Sequence, residues 1–96
     1  MSAFIIIRVQ VSDPFKLKSY QEVAPSIIEK YNGKLIVRGG EVISLEGPDE
    51  KRRVVIIEFP SLDEAKTFYY SDEYENAIKL RNGAAEFEMI AVDGIS

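Results

Sequence analysis

Ninety-six residues, 46% of them hydrophobic and 29% charged, suit a single domain spanning residues 1-96 that buries roughly two-thirds of the surface its unfolded chain exposes. A net charge of -4 argues against nucleic acid or an anionic membrane as partner, because both recruit clustered Lys and Arg. With no Cys and no His, disulfides, thiolate and imidazole nucleophile systems, structural zinc and His-ligated haem are excluded, leaving carboxylate, Tyr, Lys and Arg chemistry.

At the N-terminus, Met1-Ser2-Ala3 carries no basic segment, and the apolar run from Phe4 ends at Arg8, too short for a secretion signal. No segment approaches a membrane span, so a cytoplasmic location is expected. Ala3 to Val11 alternates as a strand, with Ile5, Ile7, Val9 and Val11 on one side and Phe4, Ile6, Arg8 and Gln10 on the other. Asp13-Pro14 then starts a helix. An Asp cap accepts orphan backbone N–H bonds, worth ~1 kcal/mol, and Pro fits the first helical position. Tyr20, Val23, Ala24, Ile27, Ile28 and Tyr31 follow at helical spacing until Asn32-Gly33 supplies a left-handed stop. Pro25 removes one backbone donor inside this helix, which predicts a kink near Ala24 or two short pieces.

Lys34 to Arg38 reads as the second strand. Gly39-Gly40 breaks it, and Glu41 to Glu46 is expected either to continue it or to form a short hairpin arm before the Gly47-Pro48-Asp49-Glu50 turn. Lys51-Arg52-Arg53 is read as a solvated turn. Arg53 to Phe59 is the third strand, with Val55, Ile57 and Phe59 opposite Val54, Ile56 and Glu58. Ser61-Leu62-Asp63-Glu64 fits a capping box, and Ala65, Phe68 and Tyr69 line the inner face of the helix it opens. Ser71-Asp72-Glu73 is a second cap, so this helix is expected to break and restart with Tyr74, Ala77, Ile78 and Arg81 on one face. The last strand runs from about Glu86 to Val92.

Two strand-helix-strand units of this kind give an α+β ferredoxin-like βαββαβ plait, a four-stranded antiparallel sheet with its helices on one face. Strict alternation assigns Leu35 and Val37 to the helix side. It leaves Phe4, Ile6, Ile36, Val54, Ile56, Ile90 and Val92 on the other face with Arg8, Arg38, Glu58 and Glu88. So large an apolar patch exceeds what a soluble monomer usually exposes. The simplest cover is a second copy of the chain, sheet against sheet, as a homodimer.

The run Tyr31-Asn32-Gly33-Lys34-Leu35-Ile36-Val37-Arg38-Gly39-Gly40, then Glu46-Gly47, Val55-Ile56-Ile57-Glu58-Phe59-Pro60-Ser61, Ser71-Asp72-Glu73-Tyr74 and Arg81, resembles the signature of the domain of unknown function 1330 family in the dimeric alpha-beta barrel superfamily. The resemblance covers nearly the whole chain; Asn32 replaces one of the glycines that often precede this strand. It implies a homodimer with a cavity between sheet and helices or between sheets, and it implies no established activity.

Six residues are candidate ligand-binding groups: Arg38, Gly39, Gly40, Glu58, Tyr74 and Arg81. Arg38 is a guanidinium at a strand end, followed by glycines that permit either a bulge or close backbone approach to a ligand. Glu58, on the face a dimer would bury, has Arg8 or Arg38 as its expected partner, since a buried unpaired charge costs several kcal/mol. Held in a cavity, Glu58 is instead the candidate catalytic proton acceptor and Arg38 the anion anchor. Tyr74 and Arg81 share a helical face and would offer a phenol and a guanidinium to a pocket; the plainer reading is an Arg stem lying along an apolar stripe. Tyr20, Tyr31, Tyr69 and Tyr70 read as core or rim. The acids show no calcium-loop spacing, and neither a metal nor another cofactor is expected.

Three functions fit. The first is a small dimeric protein whose cavity takes a small polar or anionic molecule through Arg38, Glu58 and Arg81. The alternative is a cofactor-independent enzyme, monooxygenase-like or isomerase-like, with a cavity carboxylate moving the proton. An RNA-binding or regulatory amino-acid-binding plait is the third, and the acidic charge counts against RNA.

Overall fold

The computed structural model describes residues 2–95, arranged as β1 (Ala3–Val11), α1 (Pro14–Lys30), β2 (Lys34–Arg38), β3 (Arg53–Phe59), α2 (Leu62–Tyr69), α3 (Asp72–Leu80) and β4 (Ala85–Asp93). The strands pair antiparallel in the order β2-β3-β1-β4. A sheet in this order, with helices in both crossovers, is the ferredoxin-like α+β fold. Among the described residues no helix is long and apolar enough to cross a membrane.

Local chemistry explains the boundaries. The Asp13 carboxylate accepts the Lys16 N–H at 3.0 Å, the Ser61 hydroxyl that of Glu64 at 3.1 Å and the Ser71 hydroxyl that of Tyr74 at 3.1 Å, so each helix begins where a short polar side chain satisfies an orphan donor. Ser71 thereby divides α2 from α3 as expected. In the capping box the Glu64 carboxylate meets the hydroxyl of Ser61, at 3.4 Å, and the amide of Asn32, at 3.0 Å. Asn32 is left-handed, with φ 68°, and ends α1. Gly33 follows because a Cβ there would lie 2.7 Å from the Phe59 ring.

Three expectations need correction. Of the two outcomes expected at Pro25, a kink or two pieces, the second is overturned: helix α1 is one element, because Pro deletes a single donor while Leu17, Tyr20, Ala24 and Ile28 on both sides of it stay buried against the sheet. The stretch from Glu41 to Glu46 neither continues β2 nor forms a hairpin arm; residues 39–52 hold no helix or strand. Gly39, at φ 69°, gives its N–H to the Val54 carbonyl and turns the chain off the ladder.

The third concerns register. Leu35 pairs with Ile57, but Val37 pairs with Ile56 and Arg38 with Val55, so a bulge lies between Leu35 and Val37, ahead of the glycines. An extra residue in a strand reverses every face after it. Val37 therefore joins Ile56 on the open face, and Arg38 joins Val55 on the helix side.

The core lies between sheet and helices. Ile5, Ile7, Val9, Ile57 and Phe59 from the sheet meet Leu17, Tyr20, Ala24, Ile28, Ala65, Phe68, Tyr74 and Ala77. The opposite face has no helix over it: Phe4, Ile6, Val54 and Ile56 are partly exposed, and Ile36, Ile90 and Val92 more so.

Candidate functional site

Helix α3 presents Tyr74, Ala77, Ile78 and Arg81 at positions that share one face. The helix ends at Arg81, Gly83 turns left-handed at φ 79°, and the buried Ala84 offers its carbonyl to the Ser12 and Asp13 N–H groups, both at 2.9 Å. The Ser12 hydroxyl donates to the same carbonyl at 3.0 Å. This clamp between the β1–α1 and α3–β4 turns fixes where the Arg81 side chain can go. Its guanidinium carbon lies 3.7 Å from the Phe87 ring centroid and 5.2 Å from that of Tyr20.

Arg81 is only 8% exposed, and its buried Nε has no hydrogen-bond partner among the described residues. Stacking on two aromatic faces offsets part of the cost of burying the charge. The unpaired donor still carries a penalty of about 1–3 kcal/mol, more for a charged group.

Beside the guanidinium, α2, α3 and the edge strand β4 enclose a hollow of roughly 490 Å³ lined by Arg81, Lys66, Tyr69, Ile78, Phe87 and Met89, among others. It lies along β4, the edge strand of the sheet, where Met89 is half-buried and Ala91 exposed. A wall of rings and aliphatics with two cations suits a molecule that has an apolar body and acceptor oxygens.

Behind this wall the Tyr20 and Tyr74 hydroxyls share a hydrogen bond of 2.5 Å. Burial pushes both phenols above their ordinary value of 10.0, so both are neutral near pH 7. Tyr74 is 1% exposed, its ring centroid 4.4 Å from that of Phe68 and 5.7 Å from that of Tyr69. It is a core residue rather than a wall of the hollow.

A second hollow, of roughly 360 Å³, lies between α1 and strands β2 and β3, with Leu17, Tyr20, Ala24, Leu35 and Val55 inside and Arg38 and Arg53 on its border. Phe87 borders both spaces.

The six candidate residues are therefore dispersed. Arg81 lines the first hollow and Arg38 the second, whereas Tyr74 is in the core. Gly39 makes the turn after β2, and Gly40 faces open space. Glu58, cross-strand partner of Phe4, belongs to the open face, where it accepts a hydrogen bond from the Ser2 hydroxyl at 2.8 Å. Arg8 and Arg38 are not its partners. Arg8 pairs with Glu50 at 3.2 Å, which also holds Arg52 at 2.8 Å, and Arg52 reaches on to Glu88. Arg52 is thus anchored, not merely solvated. Glu50 is held below the ordinary carboxyl range chiefly by its hydrogen bonds from Arg52.

Sequence reasoning missed Lys66, Tyr69 and Phe87 as neighbours of Arg81, and Arg53 as a neighbour of Arg38. The apolar positions of Tyr69 and Phe87 were visible, but nothing in their spacing relates them to a cation on another element.

Fold and site together define a ferredoxin-like α+β protein with two hollows between sheet and helices and a sheet face left open. The chain belongs to the DUF1330 family, described as a domain of unknown function, whose model matches residues 2–95. No curated protein matches it. Among solved structures it is similar to a protein of unknown function from Rhodopseudomonas palustris, with 22% identity, a TM-score of 0.73, and coverage of 99% of this chain and 83% of that one. A dimeric protein of unknown function and ferredoxin-like fold from Bacteroides fragilis shares 18% identity at TM-score 0.64, over 97% of this chain and 96% of that one. SnoaB, a cofactor-independent oxygenase from Streptomyces nogalater, shares 10% identity at TM-score 0.66, over 99% and 94%. Identities this low carry the fold and nothing finer.

Proposed function

We propose that this protein is a homodimer that binds a small polar or anionic molecule in the hollow beside Arg81. The observation that carries the reading is the Arg81 guanidinium, 8% exposed, stacked on Phe87 and left with an unpartnered Nε. A carboxylate or enolate oxygen from a bound molecule would satisfy that donor by a charge-assisted hydrogen bond, with Lys66 as a second cation at the rim. The dimer is supported by the uncovered apolar sheet face and by a neighbour of the same fold described as dimeric.

Native mass spectrometry of gently purified protein tests both parts. The expected result is a dimer carrying a defined small mass that Arg81→Met loses while remaining dimeric. A monomer at micromolar concentration would overturn the dimer, and an Arg81→Met dimer that keeps the same adduct would overturn the role of Arg81.

The alternative of a cofactor-independent enzyme draws support from the likeness to SnoaB, but its proton acceptor cannot be Glu58 acting in either helix-side hollow, because Glu58 is on the opposite face. Full activity of Glu58→Gln on any identified substrate would remove that residue from the chemistry.

A further inference from the structure

The second hollow carries charges that the reading above does not use. Arg38 pairs with Val55 across β2 and β3, and Arg53 lies two residues before Val55 on the same strand. The two arginines are therefore diagonal neighbours on the helix side of the sheet, with backbones roughly 7–8 Å apart. Neither forms an ion pair or a side-chain hydrogen bond with any described residue, whereas Arg8 and Arg52 nearby are both paired with acids. Two like charges side by side without a counter-ion are unfavourable in an otherwise acidic chain, and they favour an anion between them.

The backbone is shaped around this pair. A Cβ on Gly39 would lie 2.1 Å from the Arg53 Nε. Glycine leaves room for the Arg53 side chain beside the turn, and the turn's φ of 69° itself favours glycine. The β2 bulge brings Arg38 to the helix side; without it this cation would point to the open face.

Besides the two arginines, Tyr20 and Gln21, the lining of this space is apolar. Leu17, Ala24, Ile28, Leu35, Val55 and Ile57 line it, and its volume of roughly 360 Å³ is at the small end of ligand cavities, which run about 300–1,000 Å³.

We propose that the cleft between α1 and strands β2 and β3 is a second binding site, for an amphipathic monocarboxylate whose carboxylate is clamped by Arg38 and Arg53 and whose slim aliphatic body enters the cleft. Planar guanidinium groups match a carboxylate in bidentate geometry, and the apolar lining rewards chain length. The site differs from the Arg81 hollow in its cations and in being walled by α1, β2 and β3, with Phe87 bordering both.

Isothermal titration of the full-length protein with hexanoate, octanoate and octanol tests the proposal. Octanoate should bind about ten-fold more tightly than hexanoate, the area law's expectation for two added methylenes. Octanol, of the same length without the charge, should bind at least roughly ten-fold more weakly than octanoate. The double variant Arg38→Ala, Arg53→Ala should lose the octanoate preference, and Ala24→Leu should block the aliphatic body. In Arg81→Met, which removes the anchor of the first hollow, octanoate should still bind, and adding Arg38→Ala and Arg53→Ala to it should abolish that binding, which separates this site from the first. Circular dichroism melts of each variant establish that it is folded; both arginines are exposed, so their truncation is expected to leave the fold intact. Absence of octanoate binding at millimolar concentration, octanol binding as tightly as octanoate, unchanged binding in the double variant, or loss of binding in Arg81→Met would each overturn it.

Discussion

The buried Tyr20 and Tyr74 pair has a measurable signature. Each phenol satisfies the other at 2.5 Å, so Tyr74→Phe leaves the Tyr20 hydroxyl in the core without its partner, at an expected cost of about 1–3 kcal/mol in urea unfolding. The double change Tyr20→Phe, Tyr74→Phe removes both polar groups and should cost less than the sum of the single changes, a coupling that a double-mutant cycle reads directly. The pH dependence has a definite sign. Burial raises both phenols above 10.0 in the folded protein, so their contribution is complete below pH 10 and is lost as pH rises beyond it, when the unfolded chain ionises first. Tyrosinate absorbance should therefore show these two rings titrating together with alkaline unfolding; a native-state titration of all five tyrosines near pH 10 would contradict it.

Between elements, α1 is tied to α3 through Glu73, which holds Lys30 at 2.7 Å and the Tyr31 hydroxyl at 2.7 Å. These partners keep the Glu73 carboxyl below its ordinary value of 4.5, the Lys30 hydrogen bond first and the Tyr31 hydrogen bond second. A lowered carboxyl stabilises the fold above the unfolded value and stops doing so as pH falls through the folded one. Acid unfolding of Glu73→Gln should accordingly show a shallower loss of stability below pH 4.5 than the parent. Pro25 offers a second test at this scale: Pro25→Ala restores a backbone donor within α1 and should stabilise the protein, by at most about 3 kcal/mol. Unchanged or lower stability would show that the ring is itself needed for packing against the cleft. The helices, their caps and the break at Ser71 were all legible in the sequence, because caps and stops are local chemistry. The fate of residues 41–46 was not, since two or three apolar residues pair as a strand only if a neighbouring edge is within reach, and Gly39 turns the chain away from that edge.

For the molecule as a whole, the open sheet face is where the proposed dimer would form. Ile56 is near its centre, between the β1 partner Ile6 and the β2 partner Val37. Ile56→Asp should yield a folded monomer in light scattering, since a charge there faces water in the monomer but would be buried unpaired in a dimer, costing several kcal/mol. A dimer that survives the change would place the interface elsewhere.

Alternation of apolar residues, two helical stripes and three caps determined the element order, the ferredoxin-like fold and most of the core, because each depends on periodicities of two or 3.6 residues that the sequence displays directly. Only the tertiary structure decided which cations share a space. The extra residue between Leu35 and Val37 moves Arg38 to the helix side, separates it from Glu58 and brings it beside Arg53. The clamp at Ala84 positions Arg81 over Phe87. Both arrangements depend on pairings between residues far apart in the chain, and a pattern of local spacings contains no information about register.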